Sequence, residues 1–204
     1  MGEEIRHVKS AGGKEWKTAV APFESADMAS SLWQLANSLL PYLLLWYLMY
    51  RSLSISFWLT LLLAVPAAGF MIRLFIIFHD CGHGSFFKSP RLNTIVGYLT
   101  GILTFTPYQE WRHHHAIHHA SAADLDRRGV GDVKIWTVEE YQAASTWQKV
   151  AYRITHQPLI VFTIGAGGMF LLGHRFHSKP GGRRELVSVH ITNLALLALF
   201  LVLS

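Results

Sequence analysis

Hydrophobic positions come in long blocks along this chain, separated by short polar links. Between residues 32 and 50 only Gln34, Asn37 and Ser38 interrupt the apolar run, and between residues 55 and 78 the sole charge is Arg73. Each block reaches the roughly 20 residues that carry an α-helix across a hydrocarbon core. The four residues from Arg51 to Ser54 join them, which predicts a transmembrane helical hairpin. Two shorter runs, 92–105 and 158–173, fall under that length and contain Gly97, Gly101, Gly165, Gly167 and Gly168. They are expected to form re-entrant or interfacial helices. A further run occupies residues 191–203. The pattern predicts an all-α, polytopic integral membrane protein in which a polar arm, residues 1–31, precedes a membrane domain, residues 32–204.

Charge gives this pattern an orientation. Lys and Arg crowd the amino-terminal arm and the stretches 88–153 and 174–184, whereas only Arg51 lies in the hairpin link. The positive-inside rule then places the arm and the polar regions after the hairpin on the cytoplasmic face. The arm contains no apolar core of the kind a cleavable signal needs, so none is expected. The formal net charge is +5. It is spread over membrane-flanking segments with no compact basic patch interleaved with aromatics, which favours lipid headgroups over nucleic acid as the partner. A single cysteine, Cys81, excludes an internal disulfide.

The candidate chemistry lies in two histidine clusters at the edges of apolar runs. The first is His79-Asp80-Cys81-Gly82-His83; the second is His113-His114-His115-Ala116-Ile117-His118-His119. On a helix, residues i and i+4 project from one face about one turn apart. That places His79 with His83, and His115 with His118 and His119. Imidazole is the commonest side-chain ligand for a transition metal. Five imidazoles exceed what one structural zinc ion needs, which points to a dinuclear, redox-active centre on the cytoplasmic face. Cys81 reads either as a thiolate ligand or as a small residue packed beside the site. A transporter would place its ionisable groups near the bilayer midplane, and these histidines sit at membrane edges instead.

These residues resemble the membrane fatty acid desaturases. HDCGHGSFF, residues 79–87, is similar to that family's first histidine box, and HAIHH, residues 115–119, to its second, of the form H-x-x-H-H. The stretches 106–133 and 179–197 also resemble the bacterial acyl-lipid branch. The resemblance implies a non-haem di-iron oxidoreductase that uses O2 and two electrons, from a ferredoxin or cytochrome-type donor, to place a cis double bond in the acyl chain of an acyl-lipid or other fatty acyl substrate. It implies His79, His83, His115, His118 and His119 as iron ligands. Asp80 is placed to accept a hydrogen bond from a ligand's second ring nitrogen. His114, one turn before His118, is expected to support the ligands from behind, and His113 to do so or to face solvent. Trp111 reads as an interfacial anchor, Arg73 as a side chain reaching the headgroups, and His7 and His156 as structural or solvent-facing. The family's third H-x-x-H-H box has no counterpart here, since His174-Arg175-Phe176-His177 offers only two imidazoles and His190 stands alone. The sequence is therefore expected to be the amino-terminal part of a desaturase, inactive by itself. A lipid or carotenoid hydroxylase or ketolase with the same boxes is the alternative enzyme, and a membrane metal-binding or transport protein the non-enzymatic one.

Overall fold

The computed structural model describes residues 18, 20–21, 25–122, 124–129, 133–178 and 181–203. Most of the amino-terminal arm, including His7, and residues 130–132 lie outside these. The described residues are helical with no strand. The chain divides into two compact units, Met1–Gly97 and Tyr98–Ser204.

In the first unit, α1 (Met28–Ser52) and α2 (Phe57–His83) form the expected helical hairpin. Asp27 caps α1, its carboxylate accepting from the Ser30 N–H at 2.9 Å. Small hydroxyl side chains fasten the pair. Ser52 and Thr60 share a buried hydrogen bond of 2.7 Å across the turn, and the Ser31 hydroxyl donates to the Phe86 carbonyl at 2.5 Å. Serine lets two helix backbones approach closely while supplying a hydrogen bond where water is excluded. Arg73 is exposed on α2 and finds a partner across the hairpin. Its guanidinium donates to Asn37 Oδ1 at 2.5 Å, because Asn37 faces it from α1 in mid-hairpin. Leu74, Ile77 and Phe78 are fully buried at the end of α2 that carries the first cluster.

After α2 the chain turns through Phe86 and Phe87, both buried, into α3 (Pro90–Leu103). Asn93 holds this turn. Its amide donates to the Phe87 carbonyl at 2.7 Å and accepts from the Phe87 N–H at 2.9 Å, both within a buried environment. Replacing Asn93 by Ala strands two buried backbone groups and is expected to cost about 3 kcal/mol. Thermal unfolding of the detergent-solubilised protein checks this, and an unchanged midpoint would count against it.

In the second unit, α4 (Tyr108–Ser121) carries the second cluster and packs against α8 (Arg183–Leu203). The Gln109 N–H donates to the buried Ser188 hydroxyl at 3.0 Å, and Tyr108, fully buried, packs on Tyr98. Between them lie α5 (Val138–Ala143), α6 (Thr146–Thr155) and α7, which comprises Pro158–Ile160, a π-helical turn at Val161–Gly165, and Ala166–Leu171. A 3-10 turn, Gly173–Arg175, follows. Arg175 fastens it, donating to Asn193 Oδ1 at 2.9 Å and to the Phe105 carbonyl, while its own carbonyl accepts from Asn193 at 2.9 Å.

Among the described residues, three stretches are long and apolar enough to cross a membrane: Phe57–His83, Pro158–Arg175 and Arg183–Leu203. The second, expected to be a re-entrant or interfacial segment, reaches the length and apolar content of a span. Gly165, Gly167 and Gly168 sit inside continuous helical structure, so the apolar stretch extends to Arg175. The 14-residue α3 remains too short to cross. α1 spans 25 residues but is not among the three. Gln34, Asn37 and Ser38 dilute its apolar character.

Candidate metal centre

The first cluster occupies the last turn of α2. Gly84, at φ +74°, ends the helix in the left-handed conformation, and its N–H bonds back to the carbonyls of Asp80 and Cys81. The N–H and hydroxyl of Ser85 also reach the Asp80 carbonyl, at 3.0 and 3.1 Å. The helix thus stops one residue beyond His83, leaving the last turn closed and both imidazoles on one face, with ring centroids 4.5 Å apart. Asp80 Oδ1 lies 3.1 Å from His79 Nδ1. Such a contact leaves His79 Nε2 to face outward as a lone-pair donor. Cys81 is buried on the opposite side of the turn from this chemistry's solvent face, at 1% exposure. A side chain at position 84 meets no steric obstacle but must adopt the left-handed conformation. Gly84→Ala is therefore expected to cost about 1 kcal/mol, with Gly84→Asn costing less. A lowered thermal midpoint for the alanine variant and recovery by asparagine would bear this out.

In the second cluster, helical spacing brings His115, His118 and His119 together on α4. The Nε2 atoms of His115 and His119 are 3.0 Å apart, and His115 and His118 stack with centroids 5.9 Å apart. The ligand atoms within each of the pairs His79/His83 and His115/His119 lie within 4.8 Å of one another, so that each pair can help hold a metal ion. The donor set fits a transition metal. Two imidazole nitrogens bound at about 2.1 Å in neighbouring positions, roughly 90° apart, stand about 3.0 Å from each other. Trp111 is not an isolated anchor. It lies one turn before His115 and stacks on its ring, centroids 4.2 Å apart and planes 19° from parallel.

The first turn of α4 carries a carboxylate that the spacing of the boxes does not reveal. Glu110 is 5% exposed, and three groups from the turn after α7 converge on it. His177 Nδ1 lies 2.8 Å from Oε2, and the Ser178 N–H and hydroxyl donate to Oε1 at 2.9 and 3.1 Å. His114 Nε2 is 3.4 Å from Oε1 and 3.2 Å from the Ser178 hydroxyl. Burial by itself would raise the Glu110 pKa. The bonds from Ser178 and His177 prevail and hold the carboxyl below its ordinary range. His177, unassigned in the sequence reading, is thus a partner of this carboxylate, and His114 supports it from the same helix. A cavity of about 410 Å³ opens beside this network, walled by Glu110, Trp111, His115, His118, His174 and Phe176 among others. The Nδ1 of His174 is buried without a hydrogen-bond partner among the described residues. His156 lies apart from the cluster, its two ring nitrogens facing the carbonyls of Tyr152 at 2.7 Å and Lys134 at 3.0 Å.

The family model described as fatty acid desaturase matches residues 56–204, nearly three-quarters of the chain. The chain belongs to the fatty acid desaturase family. Among curated relatives, a fatty acid desaturase of Bacillus subtilis (strain 168) is 50% identical over 186 residues, covering 91% of this chain and 53% of the relative. An endoplasmic-reticulum omega-3 fatty acid desaturase of Vigna radiata is 33% identical over 120 residues, covering 53% of this chain and 32% of that protein. An sn-1 acyl-lipid omega-3 desaturase (ferredoxin) of Synechocystis is 47% identical over 53 residues, 26% of this chain and 15% of the relative. This desaturase-family chain thus spans about half the length, or less, of the curated relatives it matches. No solved structure matches it.

Proposed function

We propose that this chain supplies two of the histidine boxes of an O2-dependent fatty acyl desaturase. His79, His83, His115, His118 and His119 are its iron ligands, and Asp80 and His114 steady them. The observation that carries the reading is the converged pair on α4, His115 and His119, whose Nε2 atoms are 3.0 Å apart. Two non-haem irons, when bound, supply the oxidising power to remove hydrogen from an unactivated methylene pair. The net change balances as one CH2–CH2 unit, one O2, two electrons and two protons giving one cis CH=CH unit and two waters.

The chain's own residues hold and shield this chemistry. Asp80, accepting from His79 Nδ1–H, fixes the tautomer that leaves Nε2 as the ligand atom. Trp111, stacked on His115, restricts rotation of that ring and keeps one of its faces dry. Glu110, tied to His177 and Ser178, pins α4 to the turn after α7. The substrate is an acyl-lipid and the electron donor a ferredoxin or cytochrome-type protein. The protein resides in the bacterial inner membrane with its histidines at the cytoplasmic face, as the Lys and Arg distribution favours. The five matched histidines do not fill two iron coordination spheres, so the 204-residue chain by itself should yield no unsaturated product.

The test is acyl-chain analysis by mass spectrometry after expression of the whole gene product with a reductase and ferredoxin. Unsaturated lipid is expected from the wild type, and none above background from His83→Ala or His118→Ala, with membrane insertion intact. Undiminished product from either variant would overturn the ligand assignment. An oxygenated product would mean a hydroxylase.

A further inference from the structure

The sequence of α6, Thr146–Thr155, places Trp147, Val150, Ala151 and Ile154 along one face, at the i, i+3, i+4, i+7 spacing of an apolar stripe. All four are exposed, Trp147 at 82% and Ile154 at 53%. The opposite face is already occupied. Tyr152 stacks between Trp136 and His156, at 4.6 and 3.9 Å between centroids, and Tyr141 of α5 closes the group. The two charged residues of α6 lie on this side as well. Arg153 donates to the Tyr141 hydroxyl at 2.6 Å, and Lys149 donates to the Gln142 carbonyl at 2.9 Å. α6 is thus a short helix with a packed polar and aromatic back and a bare apolar front.

Two features indicate what covers that front. Only His156 and Gln157 separate Thr155 from Pro158, the start of an apolar stretch long enough to cross a membrane. A step of that size spans at most about 10 Å of extended chain, so α6 cannot stand far from the bilayer into which α7 inserts. The bare surface also continues across the junction, where Leu159 is 73% and Phe162 78% exposed. A tryptophan at the head of the stripe, with cations held only on the far side, suits the headgroup boundary better than water.

We infer that α6 is a membrane-surface helix that lays Trp147, Val150 and Ile154 into the headgroup–acyl boundary of the bilayer. Its back then serves as a platform. The Trp136–Tyr152 stack and the His156–Lys134 contact fasten the chain at residues 134–136 to the lipid-seated helix, holding the connection that follows the second histidine cluster against the membrane surface. This inference does not depend on the metal or on the reaction.

Nitroxide scanning of the whole protein in lipid nanodiscs tests it. Single cysteines replace Trp147, Gln148, Val150, Ile154 and Thr155 in turn; Cys81 is buried and sets the labelling background. Accessibility to O2 relative to a water-soluble nickel chelate should be at least about threefold higher at 147, 150 and 154 than at 148 and 155, matching a depth of roughly 5–10 Å. High nickel accessibility at all five positions would show that the stripe faces water. Low accessibility to both reagents at 147, 150 and 154 would show that protein covers it. Either result overturns the inference. A second measurement uses no label: brominated phospholipid should quench a fluorescence component present in the wild type and missing from Trp147→Phe. Identical quenching of the two proteins would also overturn it.

Discussion

Replacing Glu110 by alanine should be among the most damaging single changes outside the histidines. The substitution removes the acceptor for the Ser178 N–H and hydroxyl and for His177, and leaves those donors at the edge of a buried space. Bonds to a charged acceptor contribute about 1.5–3 kcal/mol each, and water can replace part of them because His177 and Ser178 are only partly covered. A net loss of about 3 kcal/mol follows, or roughly 10 °C in the thermal midpoint of a domain this size. The effect has a direction with pH. Glu110 is held below its ordinary value of 4.5, so its contribution is fully present above that value and disappears as pH falls through the lower folded-state value. Glu110→Gln should keep the shape, lose stability at neutral pH, and flatten that acid limb. Identical acid limbs in wild type and glutamine variant would refute the assignment.

His115→Ala should reduce retention of transition metal by more than about 100-fold, beyond the 10–100-fold typical of losing a supporting partner. His115 is the ring shared by its neighbours, with Nε2 3.0 Å from that of His119, a stack on His118 and Trp111 on its other side. His156→Ala is the contrast. Its ring bridges two backbone carbonyls away from the cluster, so metal retention should be unchanged while thermal stability falls. Metal content after dialysis against a graded chelator series separates the two. Equal loss from both variants would mean that misfolding, not ligation, explains the first.

The hairpin was legible because two long, mainly apolar runs, residues 32–50 and 55–78, are joined by a link of only four residues, although Gln34, Asn37 and Ser38 keep the first below the apolar content of a membrane span. Its fasteners were not. Ser31, Ser52 and Thr60 carry no periodic signal, and Arg73 finds Asn37 only once the helices pair. The glycines at 165, 167 and 168 make the 158–175 segment read as interrupted, whereas the fold absorbs them in a continuous helix with a π-turn. Within the candidate site, the imidazole groupings followed from i, i+3 and i+4 spacing, which one helix is enough to satisfy. The stack of Trp111 on His115 obeys the same rule and could have been read from it. Glu110 could have been found only in part: it stands one turn before His114, but its strongest partners, His177 and Ser178, lie 67 and 68 residues further on. His174 and His177 fail the H-x-x-H-H pattern, and a search for a third box passes over them.

The reach of Glu110 bears on how portable a histidine box is. Written as five letters, HAIHH looks like a cassette that can be moved to another membrane helix with its ligands intact. In this protein the helix that presents it is anchored five residues upstream of His115, by groups that arrive after an intervening surface helix and an apolar stretch. A graft cut at the written limits would carry the imidazoles and leave their mooring behind. Chimeras between family members should therefore tolerate exchange of the block from Glu110 to Ser178 far better than exchange of the box alone.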